Sequence, residues 1–261
     1  MAKEPCEMCQ ANRPYVVMQM GVSVDGRVAV APGLTMFDKH LAERCLPPDG
    51  GKLAARMESA IMDTWHPRGR MMVGSRTCVA ANAPLRELPV YCGDERVLHE
   101  DYLPSEVVDV TKTWAILVDG QGRFRGGYRG TEVPDSHILH LVSHGAPADY
   151  LAFLRERRIP YLISGDQHVD LPEAMRGLRE KLDIECVRLM GGGALNGAMM
   201  QAGLVDEIHL IVWPVLIGGE GTPTLVDCAG MAGGQAPVTL RLIHLEAQAD
   251  GQIWMHYKVA R

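Results

Sequence analysis

Short apolar segments of strand character alternate with segments of helical periodicity along this 261-residue sequence. The strand-like segments fall at 14–26, 70–74, 114–120, 137–143, 159–165 and 184–190, and the helix-like ones at 51–65, near 147–158 and at 171–182. Such alternation is typical of a mostly parallel sheet with helices on both faces. The tail, 238–260, contains two strand-like runs joined by Ala-Asp-Gly, which indicates an antiparallel pair. The sequence therefore predicts an α/β fold.

Residues 78–113 interrupt this alternation. They are largely polar and show neither a helical nor a strand period, so they indicate an irregular insertion or a lid. Strand and helix patterns resume directly afterwards, which argues against a linker between domains. We predict one domain over 14–261, preceded by a flexible segment, 1–13.

Charge and composition exclude several classes of protein. The net charge is −6, and the densest basic run, 154–158, is interrupted by Glu156, so nothing resembles the footprint of a nucleic-acid binder. No apolar run reaches the roughly 18 residues that a membrane span needs, and the N-terminus lacks the apolar core of a signal peptide. Seven scattered cysteines do not suggest a disulfide framework. Cys6 and Cys9 could supply half of a zinc site, but no second pair has that spacing. We expect a cytoplasmic protein without a metal site.

Three consecutive glycines, Gly191, Gly192 and Gly193, separate a strand-like segment from the helix-like run ALNGAMMQAG. The start of a helix offers unpaired N–H groups and partial positive charge, and residues without Cβ let a phosphate approach the backbone. Neither the G-x-G-x-x-G fingerprint nor a P-loop lysine is present. An unusual turn, or tight packing of a helix on a strand, would explain the glycines equally well.

Other strand ends carry residues that suit phosphate groups. Gly74, Ser75, Arg76 and Thr77 follow one strand, and a guanidinium beside two hydroxyls suits a phosphate monoester. Alternatively, Ser75 or Thr77 caps the helix and Arg76 is solvated. Further candidates at strand ends are Ser143, His144 and Gly165. Strand ends of this kind fit an extended ligand such as NADP, which has a pyrophosphate and a separate 2′-phosphate.

Four segments together resemble a known family. They are MGVSVDGRVA (20–29), MVGSRT (72–77), WAILVDGQGRFRG (114–126) and the run 191–225 that begins GGGALNG. This pattern resembles the reductase domain of bacterial riboflavin biosynthesis, a member of the dihydrofolate-reductase-like superfamily. The resemblance implies a dihydrofolate-reductase-like fold, an NADPH-dependent reductase and commonly a homodimer. It also implies that NADPH phosphates bind at 74–77 and at Gly191, Gly192, Gly193, Ala194, Leu195 and Asn196.

The sequence departs from that family at positions that serve the substrate. Gln19 stands where the family has a lysine, Met190 where it has a glutamate, and Asn82-Ala83-Pro84 where it often has Asp-Asp-Pro. Methionine cannot replace a carboxylate as a hydrogen-bond acceptor. The departures predict a different small heterocyclic, carbonyl or imine substrate. The alternatives are the riboflavin-pathway 5-amino-6-(5-phosphoribosylamino)uracil reductase itself and a non-catalytic NADP-binding sensor.

The chemistry of such a reductase requires few protein groups, because the cofactor carries the hydride. Asp25 is the carboxylate best placed to orient substrate or handle a proton, unless Asp25-Gly26 only forms a turn. Gln19 points either into the pocket or into the core. Arg123 and Arg125 either meet an anionic substrate or are solvated.

The final segment, QIWMHYKVA, alternates in the manner of a strand and places Trp254 on the face opposite Ile253 and Met255. A tryptophan on a water-facing surface would be covered by a second subunit. We therefore expect a homodimer formed through the C-terminal strands, as the resemblance also implies.

Overall fold

The computed structural model describes residues 12–35, 50–230 and 237–260. Within them, the strands are β1 (Tyr15–Ser23), β2 (Gly69–Gly74), β3 (Thr113–Val118), β4 (Ser136–Val142), β5 (Tyr161–Ile163), β6 (Cys186–Gly191), β7 (Glu207–Trp213), β8 (Leu240–Ala247) and β9 (Ile253–Val259). The helices are α1 (Gly50–Trp65), α2 (Ser75–Cys78), α3 (Glu95–Leu98), α4 (Ser105–Val108), α5 (Ala148–Glu156), α6 (Leu171–Leu182) and α7 (Gly193–Gln201). The predicted α/β fold, with a mostly parallel sheet and an antiparallel C-terminal strand pair, is confirmed.

The chain divides into two compact units. One comprises Met1–Tyr15 and Pro67–Val187, and the other comprises Val16–His66 and Arg188–Arg261. The single domain proposed over 14–261 stays a prediction. The predicted flexible segment lies almost wholly outside the described residues, as do Cys6 and Cys9.

In the first unit, β2 to β5 run parallel in the order β5-β4-β3-β2. Side chains on both faces of β3 are buried: Trp114 and Ile116 on one face, Ala115 and Leu117 on the other. Burial on both faces explains why this strand reads as a continuous apolar run. The register pairs Gly74 with Val118 and Val118 with Leu141, so these strands end along one edge.

The polar region 78–113 belongs to the first unit and packs on its outer strand. Leu98 is buried in a cluster with residues of α5 and β5, and the backbones of Tyr102 and Tyr161 exchange two hydrogen bonds of 2.9 Å. The Arg155 guanidinium donates to the carbonyl of Val97 at 2.7 Å. The prediction of an irregular insertion is correct. These contacts attach the part of the segment around Leu98 and Tyr102 to the fold, and the alternative of a lid stays a prediction.

In the second unit, β1 pairs in parallel with β7, β9 pairs antiparallel with β7, and β8 pairs antiparallel with β9. Trp254 is only 9% exposed, so the expectation that it needs a partner subunit to cover it is wrong. Strand β8 carries the exposed apolar residues instead: Leu240, Leu242, Ile243 and Leu245. Among the described residues, no helix is long and apolar enough to cross a membrane.

Candidate functional site

The glycine segment lies at the junction that the sequence predicts, between β6 and α7. Gly191 has a φ of +48°, and Gly192 combines a φ of +62° with a ψ of +147°. Residues with side chains almost never adopt the second combination. The first N–H groups of α7 have no partner inside the helix, and no side chain caps its start. The segment therefore needs glycine for its backbone conformation and presents amides at a helix start.

Two of the glycines also serve internal packing. A Cβ at Gly193 would overlap the carbonyl oxygen of Thr224 and the carboxylate of Asp227. A Cβ at Gly191 would overlap the side chain of Asn196, which is fully buried and has an Oδ1 without a hydrogen-bond partner. The alternative of tight packing is thus correct for Gly191 and Gly193.

Residues 222–227 connect the glycine segment to the turn after β1. At one end, Arg27 donates to the carbonyl of Thr222 at 2.6 Å, and the Leu225 amide donates to the carbonyl of Gly26 at 3.0 Å. At the other end, the Asp227 amide donates to Gly193, and Asn196 Nδ2 donates to Leu225, both at 2.9 Å. The structure brings Asp25 and the glycines together through this segment, which sequence reasoning did not assign to the site.

Asp25 forms the turn and also fastens a second turn to it. Its carboxylate accepts hydrogen bonds from the Ser23 hydroxyl at 2.6 Å, from the Ile217 amide at 3.1 Å and from the Gly218 amide at 2.7 Å. These bonds lower the pKa of Asp25 to about 2, and the bond from Ser23 has the largest effect. Asp25 is therefore ionised at neutral pH, where it can accept hydrogen bonds but is a poor proton donor.

Gln19 lies in the middle of β1 and is 8% exposed. This burial agrees with the alternative that its side chain points into the core. Its Oε1 has no hydrogen-bond partner, which is costly for a buried amide oxygen. Its register partner is His209 on β7. Gln19 is separated from the Asp25 turn by the rest of the strand.

Gly74, Ser75, Arg76 and Thr77 occupy the end of β2 and the single turn of α2. Gly74 is the N-cap residue and no side chain caps the helix, so the alternative of Ser75 or Thr77 as a cap is wrong. Ser75 is 8% exposed. Arg76 is exposed and forms no hydrogen bond or ion pair with the part of the chain that the structure describes, as expected of either a solvated residue or an anion ligand.

Ser143, His144 and Gly165 lie together at the same edge of the first unit. The His144 amide donates to the carbonyl of Gly165 at 3.0 Å, and the His144 side chain is exposed. The Ser143 hydroxyl donates to the carbonyl of Gly120 at 2.7 Å, so its hydrogen is already engaged within the protein. A Cβ at Gly165 would overlap the backbone of His168 and Asp170, so packing alone explains why this position is a glycine.

A buried polar network, which the sequence analysis does not predict, lies at the edge where β3 and β4 end. Asp119 directly follows β3 and accepts hydrogen bonds from the amides of Arg123 and Phe124, at 2.9 and 2.8 Å, and from the Tyr150 hydroxyl at 3.0 Å. The Tyr150 oxygen lies 2.8 Å from His140 Nδ1. Burial lowers the pKa of His140 to about 4, so His140 is neutral at physiological pH. The Asp-Gly after a buried strand was the available signal.

Arg123 and Arg125 have structural partners, so the alternative that they are merely solvated is wrong, whereas contact with an anionic substrate stays a prediction. Arg123 donates to the carbonyls of Ala80 and Ala81 at 2.9 and 3.1 Å. Arg125 donates to the carbonyl of Arg86 at 2.7 Å. Both guanidinium groups hold the irregular segment that follows α2.

Solved structures show which class of fold this is. A pyrimidine reductase-like protein from Corynebacterium diphtheriae superposes with a TM-score of 0.62 over 99% of this chain and 96% of its own, at 15% identity. The riboflavin biosynthesis reductase Rib7 of Saccharomyces cerevisiae superposes with a TM-score of 0.56 over 96% of this chain and 92% of its own, at 14% identity. The fold is that of the riboflavin-type reductases.

Sequence comparison identifies the family. The model of the RibD C-terminal domain matches residues 14–254. The 2,5-diamino-6-ribosylamino-4(3H)-pyrimidinone 5′-phosphate reductase of Methanothermobacter thermautotrophicus is 26% identical over 84% of this chain and 86% of its own. Its namesake from Aquifex aeolicus is 25% identical over 84% of this chain and 85% of its own. The chain belongs to the RibD C-terminal domain family, as its resemblance predicts.

The Asp25 contacts make a prediction about stability. Replacing Asp25 with asparagine removes the charge that the Ser23, Ile217 and Gly218 donors favour, so the variant should unfold at lower urea concentration at neutral pH. Because the folded-state pKa of about 2 lies below the ordinary 3.8, this stabilisation is present above about pH 4 and is lost as pH falls towards 2.

Urea midpoints at neutral pH and at about pH 3 measure the effect. Asp63→Asn, an exposed site on α1, is the matched control and should behave as wild type at both values. A deficit for Asp25→Asn that does not shrink in acid would contradict the role of the charge.

Proposed function

We propose that this protein is an NADPH-dependent reductase whose substrate is a ribosylaminopyrimidine phosphate. The observation that carries the proposal is that two relatives, each matched over 84% of this chain, are both reductases of one such compound. The bound cofactor would supply a hydride to an electrophilic carbon of the substrate, and one proton must be delivered elsewhere in the reaction. Asp25 would hold its hydrogen-bond donors, Ser23, Ile217 and Gly218, in place. It would not deliver that proton, because its carboxylate is ionised.

The glycine segment fits a bound pyrophosphate through its backbone. Gly192 is half-buried, Ala194 is exposed, and both lie at the start of the nine-residue helix α7. We propose that the amides at 191–196 bind the cofactor phosphates, with Leu195 and Asn196 buried beneath them. At the other junction, Arg76 with Ser75 and Thr77 is proposed to bind the 2′-phosphate. Ser143, His144 and Gly165 are proposed to contribute backbone and the exposed imidazole.

A second candidate is a reductase that acts on a different small heterocycle. The specific observation that favours it is Gln19, which is buried with an unpaired Oε1 where the family has a lysine. Met190 is half-buried and cannot replace the family's glutamate. A non-catalytic NADP-binding sensor is the third candidate.

Turnover separates these candidates. Purified protein is incubated with NADPH and 2,5-diamino-6-ribosylamino-4(3H)-pyrimidinone 5′-phosphate, and NADPH oxidation is followed. Substrate-dependent oxidation supports the proposed function. Oxidation only with other heterocycles, or only after Gln19→Lys and Met190→Glu, supports the second candidate. Tight NADPH binding without oxidation of any substrate supports the sensor.

The exposed guanidinium of Arg76 should set the preference for NADPH over NADH. Arg76→Ala removes a charge-assisted contact of about 1.5–3 kcal/mol, so NADPH affinity should fall by about tenfold or more while NADH affinity stays unchanged. Arg129→Ala, which removes the same charge from another exposed arginine of this unit, is the control. Titration of each variant with both nucleotides gives the ratio, and an unchanged ratio in Arg76→Ala would remove Arg76 from this role.

The carboxylate of Asp227 makes a second prediction about the cofactor. It lies against Gly193, where its charge would repel a phosphate bound to the start of α7. Asp227→Asn keeps an acceptor for the Thr224 amide and hydroxyl, which now bind the carboxylate. NADPH should therefore bind severalfold more tightly to this variant, and Asp250→Asn should leave the affinity unchanged. Unchanged binding in a folded Asp227→Asn variant would argue that the phosphates bind elsewhere, and weaker binding would contradict the repulsion.

We propose a homodimer whose interface is formed by β8. This replaces the expected interface at Trp254, which is buried within the chain. The register puts Leu240, Leu242 and Leu245 opposite Val259, Tyr257 and Met255, so these leucines share one face of the antiparallel pair. They are 39%, 50% and 58% exposed, and an edge strand with an apolar face is prone to association.

Light scattering tests the dimer. Wild type and the control Leu216→Glu, changed at a site that is 78% exposed, should show twice the chain mass. The double variant Leu242→Glu and Leu245→Glu should show the mass of one chain. A monomeric wild type at micromolar concentration would contradict the proposal.

A further inference from the structure

Two histidines and a glutamate form a cluster on β7 and β9 that the proposed reductase chemistry does not use. Glu207 and His209 are two residues apart on β7, so they point to the same face of the sheet. His256 on β9 is the register partner of His209. One ligand atom from each of the three lies within 4.8 Å of the others.

The separations of these atoms suit a tetrahedral metal ion. Glu207 Oε2 lies 3.1 Å from His256 Nε2 and 3.7 Å from His209 Nε2. Zinc–ligand bonds of about 2.0–2.1 Å in a tetrahedron place the ligand atoms about 3.3–3.4 Å apart, between the two observed values. The two imidazole rings stack at 3.9 Å between centroids, so the more exposed ring, His256, has to turn for both nitrogens to converge.

His209 has two ring nitrogens without a hydrogen-bond partner among the described residues. It is 4% exposed, and neither Nδ1 nor Nε2 forms a hydrogen bond with the part of the chain that the structure describes. An unpaired nitrogen in a buried ring is costly, and an ion or a water would remove that cost.

The surroundings provide an approach to the cluster. The indole of Trp254 packs 6.0 Å from His209, between ring centroids. Trp254 also lines an open groove of about 470 Å³ together with Arg56 and Asp63 of α1. His256 is 18% exposed, so an ion can arrive from solvent. Lys258 is the register partner of Glu207, so the two residues lie opposite each other on the antiparallel pair.

We propose that Glu207, His209 and His256 bind one divalent transition-metal ion, with zinc as the best match, that ties β9 to β7. Two imidazoles and one carboxylate favour zinc over magnesium and calcium, which take oxygen ligands. Three protein ligands leave a fourth position for water. The sequence predicts no such site, because it does not reveal that residues 209 and 256 are paired across two strands.

Zinc titration of the full chain tests the proposal. Chelator-treated protein is titrated with ZnCl₂ against a chromophoric competitor, and melting temperature is recorded with and without zinc. We expect one equivalent per chain and a higher melting temperature with zinc. His256→Gln and Glu207→Gln should each weaken zinc binding by about a hundredfold or more.

Two controls make the result specific. His244→Gln removes a histidine of β8 that is the register partner of His256 but is not among the three clustered residues, and the variant should bind zinc as wild type does. The double variant Cys6→Ser and Cys9→Ser should also bind normally. Circular dichroism of each variant establishes that it is folded. Equal zinc affinity in wild type and in folded His256→Gln, or binding that disappears with Cys6 and Cys9, would overturn the proposal.

Discussion

The close approach of residues 222–227 to the glycine segment is the constraint on which the second unit depends. Gly193 must lack a side chain because the Thr224 carbonyl and Asp227 carboxylate lie against it. The same segment hydrogen-bonds Gly26, and Asp25 in turn binds the amides of Ile217 and Gly218. The turn after β1, the turn after β7 and the start of α7 are therefore one connected structure. Backbone and side-chain hydrogen bonds join all three.

This connection gives the three glycines a structural role in addition to the proposed binding of phosphates. The glycines can bind a phosphate and also form an internal turn. Packing requires glycine at 191 and 193, and the backbone conformation requires it at 192. Substituting Gly192 would strain the chain whether or not a cofactor binds there. Asp227 offers a cleaner probe, because its charge can be removed with little change in shape.

Much of the fold could be predicted, because apolar periodicity reports directly on strands and helices. The sequence predicts helix α6 at its observed bounds, and the alternation of strands and helices predicts the parallel pairing of β2 to β5. Side-chain contacts between distant segments could not be predicted. In the sequence Arg123 either meets an anionic substrate or is solvated, and its bonds to carbonyls about forty positions away along the chain could not be predicted. Trp254 was assigned to the surface because alternation does not reveal what covers each face.

The candidate site divides in the same way. The positions of Gly74 and Gly192 at strand–helix junctions follow from local pattern, which the sequence contains. The low pKa of Asp25, the engaged hydroxyl of Ser143 and the pairing of His209 with His256 depend on tertiary contacts. Family resemblance supplies the reductase class and marks Gln19 and Met190 as departures, and the structure adds that Gln19 is buried and Met190 half-buried.

Amide hydrogen exchange with and without NADPH tests the central claim most directly, namely that the backbone at the start of α7 binds the cofactor phosphates. Exchange is followed by mass spectrometry on peptides that cover 191–196, with β8 as an internal reference. The account predicts that saturating NADPH slows exchange at 191–196 and leaves β8 unchanged. Saturating NADPH that binds without slowing exchange at 191–196 would contradict the account.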